Sequence, residues 1–162
     1  MRHRQADRSV REHEASGFTL IELLVVVAIV AILASAARPL SELNVKRAKE
    51  LELRRALREI REGLDAYKQA AEDGRLERRV GDSGYPRRLE DLVQGVDDRR
   101  AANKQRIYFL RRIPRDPMTP DGQWGLRSYA SPPDAPAEGD DVFDVFTRAS
   151  GVGIDGRPYR DW

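Results

Sequence analysis

Apolar positions crowd into one place along the chain. Residues 18–37, FTLIELLVVVAIVAILASAA, hold 17 apolar side chains in 20 positions, against 4 in residues 1–17 and 44 of the 125 residues that follow. As a helix rising about 1.5 Å per residue, that run covers roughly 30 Å, one hydrocarbon thickness. Pro39 stands directly after it and is expected to kink or loosen the helix. The pattern then changes. Over Ser41–Glu72 the residues Leu53, Leu57, Ile60, Leu64, Tyr67 and Ala71 recur at steps of four and three, the stripe of an amphipathic helix. Arg55/Glu59, Arg58/Glu62 and Arg61/Asp65 stand four apart and are expected to pair on its wet faces.

Gly74 and the polar stretch to Gly84 end that helix. RRLEDLV, residues 87–93, places Leu89, Leu92 and Val93 at helical spacing, and Asp97–Arg106 reads as a charged loop. Pro114-Arg115-Asp116-Pro117 and Pro120-Asp121-Gly122 are turn chemistry. Trp124–Ala130 and Val142–Thr147 read as strands separated by SPPDAPAEGDD. The elements amount to an α+β chain, a long N-terminal helix packed on a small antiparallel sheet of two or three strands.

Composition narrows the chemistry. No second apolar run approaches the length of a span, so a multi-pass membrane protein is excluded. The chain has no cysteine, and its two histidines, His3 and His13, both precede the apolar run. Lys+Arg is 29 against Asp+Glu 27, with the signs interspersed, a balance that permits acidic partners without demanding nucleic acid, and nucleic acid is not expected as a partner. Positive charge does not orient the segment either: Arg2, Arg4, Arg8 and Arg11 precede it, and Arg38, Lys46, Arg47 and Lys49 follow it. Gly151-Val152-Gly153-Ile154-Asp155-Gly156 spells G-x-G-x-x-G, but a dinucleotide site needs a strand before it and a helix after it, and Pro158 follows instead.

Glu22 is the anomaly. An ionised carboxylate inside an apolar segment costs on the order of 2–3 kcal/mol at the bilayer centre and less near the interface. Snorkelling to the membrane surface would relieve that cost, and so would a partner cation. A free amine on Phe18 would supply one, and it exists only if the chain is cut after Gly17.

Gly17-Phe18-Thr19-Leu20-Ile21-Glu22, followed by LLVVVAIVAIL, resembles the class III signal of type IV prepilins and type II secretion pseudopilins. The resemblance implies cleavage after Gly17 by prepilin peptidase, N-methylation of Phe18, and a role for Glu22 in methylation and in docking the subunit into a growing filament. It divides the chain into a leader (1–17), a transmembrane or filament-core half-helix (18–37), an amphipathic half-helix (38–73) and a periplasmic C-terminal domain (74–162) with the pilin-like fold. The leader would be cytoplasmic, and the domain would lie outside the inner membrane.

Further on, Tyr85-Pro86, YFLRRIPRDPMT, VFDVFTRASG and Asp161-Trp162 come in an order that resembles the G-type, major pseudopilins. That resemblance implies a homopolymeric pseudopilus, made with minor pseudopilins and an inner-membrane assembly platform, that exports proteins. It also implies a calcium site in the C-terminal loop. Here Asp155 and Asp161 supply the carboxylates of that stretch, and Ser150 stands where the family commonly has an acidic ligand; the other reading of Asp155-Gly156 is a plain turn. A type IV or competence pilin, and an unprocessed signal-anchored protein, are the alternatives. After cleavage the chain would hold neither His nor Cys, which removes Ser–His and Cys–His catalysis and points to a structural protein rather than an enzyme.

Overall fold

The computed structural model describes residues 19–103 and 105–162, and the side chains of all of these except 36–41. Leu20–Glu72 forms one helix, α1, assigned without a break through Pro39. The chain separates into two compact units, residues 1–42 and 43–162.

In the first unit the helix begins at a cap. Thr19 Oγ1 accepts a hydrogen bond from the Glu22 backbone N–H at 3.3 Å. This is the Ser/Thr-x-x-Glu arrangement in which the cap hydroxyl satisfies an N–H that has no partner within the helix. Every large apolar side chain from Leu20 to Leu33 is exposed, from 47% at Val26 to 82% at Leu20. Among the described residues no helix is long and apolar enough to cross a membrane. Within the 18–37 run the side chains of Thr19–Ser35 are described; those of Phe18, Ala36 and Ala37 lie outside the described residues.

The second unit is built on the other part of α1. Leu53, Ala56, Leu57, Ile60 and Leu64 are all at most 4% exposed and form one core with Leu89, Leu92, Trp124, Val142, Val145 and Tyr159. The stripe read from the sequence is thus the floor of a domain core, sealed by residues from the C-terminal half. Its far end packs separately, Ala70 and Ala71 against Leu76. There the helix closes in a Schellman motif: Gly74, at φ 69°, donates its N–H to the Ala71 oxygen, and the Arg75 N–H reaches the Ala70 oxygen.

The expected pairs Arg55/Glu59, Arg58/Glu62 and Arg61/Asp65 do not close among the described residues. Arg61 turns away from Asp65 to bind Asp144, and the i,i+4 pair that closes among the described residues is Lys68–Glu72 at 3.1 Å. A partly buried carboxylate on a neighbouring strand competes better for a guanidinium than an exposed one on the same helix face.

The expected short helix over 87–93 is a single turn, α2 (Asp91–Gln94), because Asp91 accepts the Arg88 N–H and Gly95 (φ 77°) ends it. The segment read as a charged loop begins and ends in strands. β1 (Val96–Asp97) pairs antiparallel with β2 (Arg106–Ile107), with Asp97 opposite Arg106. Next to it Asp98 is buried and gripped by Arg75, Nη2 to Oδ2 at 2.6 Å. That hydrogen bond, with the Arg100 N–H, holds the Asp98 carboxyl below its usual range.

A second antiparallel pair, β3 (Trp124–Arg127) and β4 (Asp144–Thr147), places Trp124 opposite Thr147 and Gly125 opposite Phe146. Among the described residues the expected sheet is therefore two separate two-stranded ladders. At Gly125 an added Cβ would run into the Phe146 ring, so glycine lets that aromatic lie across β3. β3 stops short of Ala130 because the Asp141 carboxylate takes the Ser128 hydroxyl and the Tyr129 N–H, both at 2.8 Å. Asp141, the last residue of the SPPDAPAEGDD segment between the strands, is thus a fixed end-stop.

Candidate functional site

Two sites emerge from the sequence, and they lie in different units. The first is the expected processing signal. Gly17 and Phe18 lie outside the described residues. Glu22 occupies the first turn of α1, exposed, with its own N–H on the Thr19 cap. A carboxylate is favourable there on its own account, since the first turn carries the positive end of the helix dipole. The cap is a role that the sequence reading missed, although Thr19-x-x-Glu22 is its standard signature.

The second site is the C-terminal loop, residues 147–162. Val152 bridges Pro158, and the Gly153 N–H bonds the Arg157 oxygen at 2.8 Å, so the segment doubles back in a tight turn. Asp155-Gly156 forms its tip: the Asp155 carboxylate accepts the Arg157 N–H, and Gly156 sits at φ 80°. The G-x-G-x-x-G string therefore lies in a turn, and the only helix after it is a three-residue 3-10 turn, Tyr159–Asp161. No nucleotide cradle forms.

The loop rests on α1. Glu50, only 7% exposed, receives the Ile154 N–H and the Tyr159 hydroxyl on one oxygen, each at 2.9 Å. Lys46 donates to the Val152 oxygen at 2.9 Å. Arg54 donates to Asp155 at 2.9 Å, and its guanidinium lies 4.2 Å from the centre of the Trp162 ring. Arg61 holds Asp144 through Nε at 2.7 Å and reaches the backbone oxygen of Trp162 at 2.8 Å. Sequence reasoning missed Glu50: it falls three positions before Leu53, in phase with the buried stripe, but its charge hides it in a charged string.

These contacts test the calcium expectation. Calcium takes six to eight oxygens, several from converging carboxylates. Asp155 gives one oxygen to Arg54 and the other to the Arg157 N–H. Asp161 is exposed and nearest to Arg160, at 3.5 Å. Among the described residues no three acidic or histidine side chains converge as a metal cage. The residues present do not fit the ion, and the turn reading of Asp155-Gly156 describes what forms.

Burial, followed by the hydrogen bond to Glu50, raises the Tyr159 phenol from 10.0 to about 12. The native state therefore holds this proton more tightly than the unfolded chain. Stability from the group is fully present below pH 10.0 and is lost as pH rises towards about 12. Tyr159→Phe should lower stability near neutrality by about 1 kcal/mol and flatten the alkaline limb. Burial also raises Tyr67 and Tyr85, so the difference between wild type and variant in thermal melts across pH isolates Tyr159.

Comparison with known proteins covers most of the chain. Residues 14–37 match the family model of the prokaryotic N-terminal methylation motif. Over 145 residues the chain is 31% identical to the type II secretion system core protein G of Vibrio cholerae serotype O1 (strain ATCC 39315 / El Tor Inaba N16961), covering 88% of this chain and 82% of that protein. No solved structure matches. With a methylation motif at its N-terminus and this likeness over most of its length, the chain belongs to the type II secretion core protein G family of pseudopilins.

Proposed function

We propose that this chain is a structural subunit of a type II secretion pseudopilus. Prepilin peptidase cuts after Gly17 and methylates Phe18. The subunit is then held in the inner membrane by residues 18–37, with its leader side cytoplasmic and its C-terminal domain periplasmic. From there it polymerises with copies of itself, aided by minor pseudopilins and the inner-membrane assembly platform, into a filament that exports folded proteins. Its role is mechanical, without catalysis.

The observation that carries this reading is the contrast along α1. From Leu53 to Leu64 the apolar stripe is buried by the chain's own domain, whereas the large apolar residues from Leu20 to Leu33 are exposed among the described residues. Apolar surface on that scale calls for lipid or other copies around it. The methylation motif covers this uncovered part.

Deleting the gene should abolish exoprotein secretion and spare DNA uptake and twitching. The opposite pattern would identify a type IV or competence pilin. Mass spectrometry of the purified protein should find N-methyl-Phe18 at its start, and an intact residue 1–17 segment would leave a signal-anchored protein instead.

A further inference from the structure

We infer that the C-terminal loop is fastened to α1 by the chain's own cations in place of a divalent metal. Two of the oxygens that this loop turns towards α1, one from the backbone and one from a carboxylate, are taken by cations. Val152 O binds the Lys46 ammonium and Asp155 Oδ2 binds the Arg54 guanidinium, each at 2.9 Å. Two further contacts make the arrangement a built clasp. Trp162 lies under the Arg54 guanidinium at 4.2 Å, and the Arg61 guanidinium spans Asp144 and the backbone oxygen of Trp162. Glu50 completes it from the same helix by accepting from Ile154 and Tyr159.

The positions explain the fit. Lys46, Glu50, Arg54 and Arg61 are spaced by four, four and seven, so they lie along one side of α1. That side presents cation, acceptor, cation, cation: the first three meet the loop's Val152 oxygen, its Ile154 N–H and Tyr159 hydroxyl, and its Asp155 carboxylate, and the fourth joins Asp144 of β4 to the Trp162 oxygen. A metal bound at Asp155 would have to displace Arg54 and leave its charge beside a dication. The inference rests on this geometry and not on the filament role, so each can fail without the other.

Hydrogen exchange of the full chain in detergent tests it, read at the Gly153 and Ile154 amides that the turn and Glu50 protect. Calcium at about 10 mM, above the millimolar dissociation constants of weak extracellular sites, and a calcium chelator should each change those rates less than about twofold. Arg54→Ala removes an ion pair and a ring contact, and should speed exchange about fivefold to tenfold. Lys46→Ala should speed it less, and Arg54→Lys should restore part of the protection. Calcium slowing exchange at these amides more than about twofold would overturn the inference. So would Arg54→Ala exchanging at the wild-type rate.

Discussion

Asp116→Ala should cost the C-terminal domain about 3 kcal/mol, more than any single contact of the loop clasp. Asp116 is 2% exposed and lies in the turn before β3, yet its carboxylate reaches the end of β4. One oxygen accepts the Met118 N–H at 2.8 Å, and the other accepts the Thr147 hydroxyl, itself 1% exposed. Removing the carboxylate strands the buried Thr147 hydroxyl, at about 1–3 kcal/mol when left unpaired, and the half-buried Met118 N–H, at less. Asp116→Asn keeps one carbonyl acceptor and offers an N–H to Thr147 Oγ1, so it should cost only about 1 kcal/mol. Thr147→Val should cost an intermediate amount, and combining it with Asp116→Ala should cost less than the sum, because the two share one bond. Urea unfolding of the full chain followed by tryptophan fluorescence reads this directly, since Trp124 lies in β3 opposite Thr147. Additive losses, or an Asn variant as unstable as the Ala variant, would mean that the turn rather than the carboxylate is what matters.

Asp116 also shows where legibility in the sequence ends. The turn around it was readable, because Pro and Gly act through local backbone preference. The partner of its side chain is not local: Thr147 lies 31 positions on, and no periodicity links them. Glu50 is a stronger case, since its partner Tyr159 is 109 positions away and its neighbours Lys49 and Glu52 are exposed. By contrast, Leu53 to Leu64 were legible, because large apolar side chains at helical period can hardly be anything but one buried face. The β1–β2 ladder left no trace because two residues per strand are too few for alternation, and its facing Asp97 and Arg106 look like any charged loop. Asp155 was legible as a chemical group but not in its use. The sequence shows a carboxylate beside a glycine, and only the fold brings Arg54 to it.

Glu22→Gln and Glu22→Ala should both insert into the membrane normally and both lower the yield of assembled filament at least tenfold, as about 1.5–3 kcal/mol for a lost hydrogen bond to a charged partner implies. The structure makes the comparison between them informative. Glu22 holds the third position of a capped helix start, where its N–H bonds Thr19 Oγ1. Glutamine serves a capping box as well as glutamate does, so Glu22→Gln leaves the helix start intact and removes only the negative charge. Thr19→Ala does the reverse: it removes the cap, at about 1 kcal/mol, and keeps the charge. If Glu22 works by pairing with the methylated amine of Phe18 in its own or a neighbouring subunit, the Gln variant fails as the Ala variant does, while Thr19→Ala still assembles. Cross-linked multimers counted against total membrane-inserted subunit give the yield. A Gln variant that assembles like wild type, with Thr19→Ala failing in its place, would make Glu22 a helix-start residue and leave the amine without its partner.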